Sequence, residues 1–411
     1  MLASTSSHHH GCACRSRQSL IGSWRSSKRA YKDRRYYADD IMLLHYSSFM
    51  TMGMLLLLKS ASSFAPHRHH LIRQVARAVP SQNPPRVNVR VYSSLDNNNL
   101  WYDPSLMDHM LFRINECNSM PNDINLVDFV VDGEKLGKVT PKVAERLCNT
   151  SPSIFQKADS GSPLTLGESA GNTLESRTKA VASVMEELRD SGYITGWRDE
   201  MYPVANNFDK VTSPVFLIER AAASLLGVME YGVHINGLIM SEDDKEVKMW
   251  MARRSKTKSK FPSMLDHIVA GGQPAGLSLL DNVIKECEEE AGITEELTKR
   301  GIKPAGVISY ENYGGRLKEE GEGVMNRVVL FCFDLMLPKD FVPSANDGEV
   351  ESFFTWSLEE VAQSMHPEYD DPIKPNCYPV IIDFMLREGH ISPDSPKYLE
   401  IVRRLRSGPC C

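Results

Sequence analysis

GGQPAGLSLLDNVIKECEEEAGI, residues 271–293, joins a glycine-rich turn to a short helical repeat that ends in glutamates. Ser278, followed three residues later by Asp281, is a capping-box-like start. Leu280, Val283, Ile284, Cys287 and Ala291 recur at three- and four-residue steps and predict the buried face. Gly292 predicts the C-cap and Ile293 the return to the core. At about 100° per residue, Glu289 and Glu290 lie within about 60° of Glu286, so three carboxylates share one flank. Like charges placed this way repel one another, and a solvated acidic face is one reading of them. Gly271, Gly272 and Gly276 favour another, because glycine lets the backbone turn sharply and come close to a ligand. The apolar strand HIVA (267–270) feeds the turn. Strand, glycine loop and carboxylate-lined helix form a compact holder for hard divalent cations, which take oxygen ligands and bridge to substrate phosphates.

The charge balance supports that reading. Of 47 Lys/Arg and 53 Asp/Glu in 411 residues, 14 basic and 3 acidic residues fall in 1–95. The remainder, 33 basic and 50 acidic, gives residues 96–411 a net charge of −17. Such an acidic body argues against nucleic-acid binding, which needs clustered cations. Work on phosphates would then call for a divalent metal. The nine cysteines form no CxxC pairs, which argues against a zinc ribbon and for a reducing compartment.

Residues 1–95 read as a disordered targeting presequence. Between Asp40 and Asp96 there is no acidic residue. The apolar run Met54–Leu58 is far shorter than the roughly 20 residues that span a bilayer. ASSFAP (61–66) follows, and then an Arg-rich tract with Arg68, Arg73, Arg77, Arg86 and Arg90. This order is that of a signal plus transit segment, with a translation start at Met42 or Met50. ASSFAP resembles the cleavage site of bipartite plastid presequences, which implies a plastid location and no membrane association of the mature form. A cytoplasmic location with a merely disordered tail is the alternative. His8–His10 and His67, His69 and His70 read as solvated.

Residues 100–228 predict a small α+β domain. VDFVVDGEKLGKVT (127–140) reads as a strand, an Asp-Gly turn and a strand. ESRTKAVASVMEELRDSG (175–192) reads as an amphipathic helix ended by glycine. Trp197, Arg198 and Tyr202 in GWRDEMYPV (196–204) suit a substrate-selecting lid, with plain packing as the alternative. Further on, PAGVISYENY (304–313) and MNRVVLFCFDLML (325–337) predict strands joined by the excursion 314–323. PVIIDFMLREG (379–389) predicts a C-terminal helix. ARRSKTKSK (252–260) follows the strand KMWMA, and its Arg253 and Arg254 suit a grip on phosphate. Trp250 suits stacking on a heterocycle.

The quoted stretch resembles the Nudix box, G-x5-E-x7-R-E-U-x-E-E-x-G-U, in which U is aliphatic. Gly271, Glu286, Glu289, Glu290, Gly292 and Ile293 match, and Cys287 fills an aliphatic slot. Leu277 stands where the first Glu is usual, and Lys285 where Arg is usual. Lysine keeps the cation but loses the planar two-point grip of guanidinium. YGVHINGLI (231–239), the segment 248–272, NDGEVESFFTW (346–356) and FLIERAAASLLGV (216–228) are similar to the Nudix proteins grouped with thiamin pyrophosphokinase. The likeness spans roughly 100–400.

The resemblance implies an α/β fold: a Nudix α/β/α sandwich with a mixed sheet over 229–372, the α+β domain before it, and a helical extension over 373–411. It implies Mg²⁺ or Mn²⁺ held by Glu286, Glu289 and Glu290, with Lys285 positioning Glu286. Gly271 and Gly272 would let substrate approach the backbone, and Glu349 or Glu351 would supply a general base from a distant loop. The implied reaction is hydrolysis of a diphosphate in a small molecule. The substrate it points to is a damaged thiamine diphosphate, such as the oxo or oxy form. The alternatives are a broader hydrolase of nucleoside diphosphate derivatives (ADP-ribose, NADH, 8-oxo-dGDP), of isoprenyl diphosphates, or a non-catalytic diphosphate sensor.

Overall fold

The computed structural model describes residues 103–410, apart from 242, 244, 245, 315–322 and 347. All of them belong to one compact unit, Tyr92–Cys411. The expectations for 1–95, and most of those for the 314–323 excursion, concern residues outside the described set.

A hairpin opens the first sheet. Strands β1 (Val127–Val131) and β2 (Glu134–Val139) are joined by Asp132 and Gly133. Both turn residues have positive φ, 52° and 79°, as a two-residue primed turn demands. Strands β3 (Phe155–Gln156) and β4 (Leu164–Leu166) complete the order β2-β1-β4-β3, with β1 parallel to β4. Two amphipathic helices, α2 (Pro141–Thr150) and α3 (Leu174–Asp190), accompany this sheet. Thr173 caps α3 in a reciprocal capping box with Ser176. Phe129, Leu147, Phe155, Leu164, Val181 and Met185 are buried together in this core. A two-stranded antiparallel ribbon follows, β5 (Met201–Val204) with β6 (Phe216–Glu219). It runs into the short helix α4 (Arg220–Ala223).

The second sheet has seven strands. Its path is β11 (Ile302–Gly314), β12 (Val324–Met336), β7 (Met229–Met240), β8 (Val247–Arg254) and β13 (Val350–Ser357). Strand β10 (Val269–Gly272) pairs with β7, and β9 (Leu265–His267) with β8. The β7–β12 pair is parallel and the other pairs are antiparallel, which makes the sheet mixed.

Side chains alternate along a strand, so one strand serves two cores. On β12, Leu330 and Cys332 enter one core and Phe333 and Leu335 the other. The first core is covered by α8 (Cys377–Arg387), α9 (Tyr398–Arg404), α7 (Leu358–Gln363) and α1 (Pro104–Cys117). Helix α1 precedes the small sheet in the chain yet buries Leu106, Met107, Met110 and Ile114 here. The second core is covered by α5 (Leu279–Ala291), through Val283, Cys287 and Ala291; α6 (Glu295–Gly301) follows it. Helix, sheet and helix form the expected α/β/α sandwich.

One detail of α5 differs from the periodic reading. Leu280 is 45% exposed. The buried face instead includes Asn282 and Glu290, because the Asn282 amide donates to the Gly272 carbonyl at 2.8 Å. That bond ties the helix to the turn and rotates its inner face toward the glycine loop.

Candidate active site

Ser278 caps α5 by accepting from the Asp281 N–H, and Gly292 ends the helix at φ 64°. There the Gly292 N–H donates to Glu288 O and the Ile293 N–H to Cys287 O, which closes the helix as a glycine C-cap does. The last turns of the helix therefore hold their carboxylates in fixed places. Glu290 is only 8% exposed, and its Oε2 accepts from the Ala270 N–H at 2.9 Å. The Glu286 side chain is 12% exposed. It lies so close over Gly271 that a Cβ there would overlap its carboxyl group. Glu289 is exposed on the outer edge. Lys285 spans the pair, donating to Glu289 at 2.6 Å and to Glu286 at 3.3 Å.

Electrostatics separate these three carboxylates. Burial and the neighbouring Glu286 charge push Glu290 up to about 8. Burial also raises Glu286, against the opposing charge of Lys285. Burial alone would lower Lys285, but its hydrogen bonds to Glu289 and Glu286 raise it. Two buried carboxylates of like charge, with all-oxygen donors and a third at the rim, fit a hard divalent cation. A cation would relieve the repulsion that the protein otherwise carries. Removing an acid therefore acts on metal affinity first, and Glu289→Gln should weaken Mg²⁺ or Mn²⁺ binding less than Glu286→Gln does, as metal titration would show.

The remaining sequence-derived candidates divide. Arg253 makes a two-point pair with Asp371 (2.6 and 2.6 Å) and donates to Ser263 O. Arg254 spends Nε, Nη1 and Nη2 on Phe261 O, Asp266 and Lys260 O. These guanidiniums brace the 255–264 loop, so their expected grip on phosphate gives way to intramolecular partners. Trp250 is half-buried and packs against the α5 core. Glu351 pairs weakly with Lys256 at 3.6 Å. Glu349 pairs with Lys258. Burial would raise it, but Lys258, with Arg198 and Arg220, holds it below the usual carboxylate value.

A second polar cluster joins β7 and β9 to the start of α8. Asp266 accepts from Lys374 (2.6 Å), Arg254 (2.7 Å) and the Cys377 thiol (2.9 Å). His234 and His267 share a hydrogen bond between their Nδ1 atoms at 3.0 Å. Burial alone would raise Asp266, yet Lys374 and Arg254 hold it far below its ordinary value. Burial pushes His267 down to about 4, so its ring is neutral at pH 7. Asp266→Asn would leave two buried cations facing one neutral amide. Removing one partner of a buried pair costs about 3–5 kcal/mol, and a matching fall in the denaturation midpoint is the expected result.

The sequence reading did not single out Glu200, Arg220 or Lys258. Tyr202, on β5, packs over Gly272, where a Cβ would overlap its hydroxyl. The Ala275 N–H donates to Met201 O at 2.9 Å, so the glycine loop is hydrogen-bonded to β5. Glu200 pairs with Arg220 at 2.8 Å, and its charge is felt by Glu286. The pairing of β5 with β6 brings Glu200 and Arg220 together, the pair with Glu349 places Lys258, and no local spacing announces either.

The geometry agrees with the comparisons. The NUDIX domain model matches residues 231–377, and a domain of unknown function (DUF4743) matches 109–230. Nudix hydrolase 20, chloroplastic, of Arabidopsis thaliana is 37% identical over 359 residues, 85% of this chain and 91% of that protein. Nudix hydrolase 24, chloroplastic, of the same plant is 39% identical over 302 residues, 73% of this chain and 78% of that protein. The uncharacterized protein YJR142W of Saccharomyces cerevisiae is 39% identical over 218 residues, 52% of this chain and 61% of that protein. The chain belongs to the Nudix hydrolase family, and it is a pyrophosphohydrolase of the kind that uses divalent metal ions. No helix among the described residues is long and apolar enough to cross a membrane.

Proposed function

We propose that the chain hydrolyses damaged thiamine diphosphates in a plastid, within the Nudix group related to thiamin pyrophosphokinase. The terminal phosphoanhydride breaks, water supplies the new oxygen, and monophosphate and phosphate leave. The observation that carries the hydrolytic reading is the buried Glu286–Glu290 pair beneath the glycine loop. The substrate rests on the resemblance over roughly 100–400, and the plastid on the presequence pattern and the two relatives named chloroplastic.

Glu286, Glu289 and Glu290 would hold Mg²⁺ or Mn²⁺. When bound, the cation neutralises phosphate charge and activates water. The chain's own residues do the positioning. The Ala270 N–H fixes Glu290, and Lys285 bridges Glu286 and Glu289. Of the two proposed bases, Glu349 is the one whose charge is coupled to Arg198 and Arg220; its pair with Lys258 lowers its basicity and has to open before it can take a proton. Catalysis here is orientation plus electrostatic stabilisation.

A phosphate-release panel on the full chain tests the substrate. Oxythiamine diphosphate should give the highest kcat/KM. Equal or higher values for ADP-ribose, NADH or 8-oxo-dGDP would discard the thiamine reading and leave a broader diphosphate hydrolase.

A further inference from the structure

Arginine donors distinguish two walls of the site. Arg253 is held by a two-point pair with Asp371 and a bond to Ser263 O, and Arg254 spends all three nitrogens on Asp266 and backbone carbonyls. Arg220 differs. Its Nη1 pairs with Glu200 at 2.8 Å, its guanidinium stands 5.6 Å from the Tyr202 ring centroid, and its side chain is 41% exposed. Its Nε and Nη2 donate to no described residue. Charged groups surround it: Glu200, Glu230 and Glu349 all act on it or are acted on by it.

The position of Arg220 is well braced. Buried Glu219 accepts from the N–H groups of Arg198, Glu200 and Ala221. The Arg220 N–H donates to Glu200 O at 2.8 Å. That carboxylate thus locks the 198–200 turn against the start of α4. Arg198 reaches across to the Ser259 hydroxyl at 2.5 Å, beside Lys258, whose charge is felt by Glu290. On the other side, Tyr202 closes over Gly272 and Ala275 bonds to Met201. A cation with open donors is therefore fixed by the segment that precedes the Nudix sheet, beside the Tyr202 ring that leans on Gly272 of the glycine loop.

We propose that Arg220, with Arg198 beside it, forms an anion subsite for the phosphate of the substrate, supplied by the N-terminal half of the chain. Glu200 holds Arg220 in place until a phosphate takes the open Nε and Nη2 donors. Guanidinium suits this task because its planar fork meets two phosphate oxygens at once. The assignment rests on the hydrolytic reading of the Glu286–Glu290 site, and its test is built to fail separately from it.

The probe is methylenediphosphonate, a non-hydrolysable diphosphate, titrated calorimetrically with Mg²⁺ into the full chain. Arg220→Gln should weaken its binding at least tenfold, and Arg220→Lys should recover part of the loss. Lys299→Gln, on an exposed helix away from the site, should leave binding unchanged. Glu200→Gln removes the ion pair and keeps the cation, so it should bind the probe as tightly as wild type or more tightly. Wild-type affinity in Arg220→Gln overturns the subsite, as does a wild type that does not bind the probe or a tenfold loss in Glu200→Gln. If Arg220→Gln fails to fold, Arg220→Lys and Glu200→Gln still decide. A tenfold effect at Arg220 in a protein that hydrolyses none of the panel leaves the subsite standing and sinks the proposed activity.

Discussion

Glu290→Gln should lower turnover by roughly 10²-fold or more while making the metal-free protein more stable at pH 8. The two effects share a cause. Glu290 is buried beside Glu286, and its folded-state value stands at about 8 against an ordinary 4.5. A group raised on folding lends stability below its unfolded value, and that stability is lost as pH climbs through its folded value. Wild-type apoprotein should therefore lose stability between about pH 4.5 and 8, by an amount on the order of a few kcal/mol. Glutamine stays neutral throughout and flattens this slope. Divalent metal restores stability to the wild type at pH 8 and does little for the variant. Thermal melts of both proteins across pH, with and without Mg²⁺, read all of this directly. A variant that melts below wild type at pH 8 without metal would refute the electrostatic account. A variant that still turns over at wild-type rate would remove Glu290 from the chemistry.

Gly272→Ala should be severely damaging, and Tyr202→Phe should partly rescue it. A methyl at 272 overlaps the Tyr202 hydroxyl, and overpacking of this kind costs about 1–3 kcal/mol. Either β5 or the loop must move. Moving the loop shifts the Gly272 carbonyl that holds Asn282, and so tilts α5 and its carboxylates. The expected result is a fall in both melting temperature and kcat. Removing the Tyr202 oxygen takes away the nearest obstacle, although the ring carbon behind it remains close. The double variant should thus recover more than the two single changes predict by addition. Simple additivity would mean that the loop does not lean on β5.

Much of this was legible in local sequence. The glycine turn, the capped helix and the long strands β11 and β12 announce themselves through period, cap and glycine, which act within a few residues. The exposure of Leu280 runs against its period, because a periodic pattern cannot tell that Asn282 will find a carbonyl and enter the interior. The roles of Arg253 and Arg254 were hidden for a different reason. Their acids include Asp371, 118 positions from Arg253, and Asp266, on a neighbouring strand. Strand pairing, which no window reveals, decides whether a cation is spent or free. Arg220 carries no local signal for the same reason, since Glu200 meets it only across the β5–β6 ribbon.

Helix α1 lies against α8 and α9, although the small sheet and the ribbon separate them in the chain. The polypeptide thus leaves the sandwich and returns to it. A fragment beginning at residue 231, where the second matched segment starts, would lack that outer helix. It would bare the Tyr378 ring, over which Arg113 of α1 stands, and open the apolar core that α1 shares, along with the loop that β5 steadies. Neither segment is an interchangeable cassette, and a chimera spliced at their border would be expected to clump rather than work.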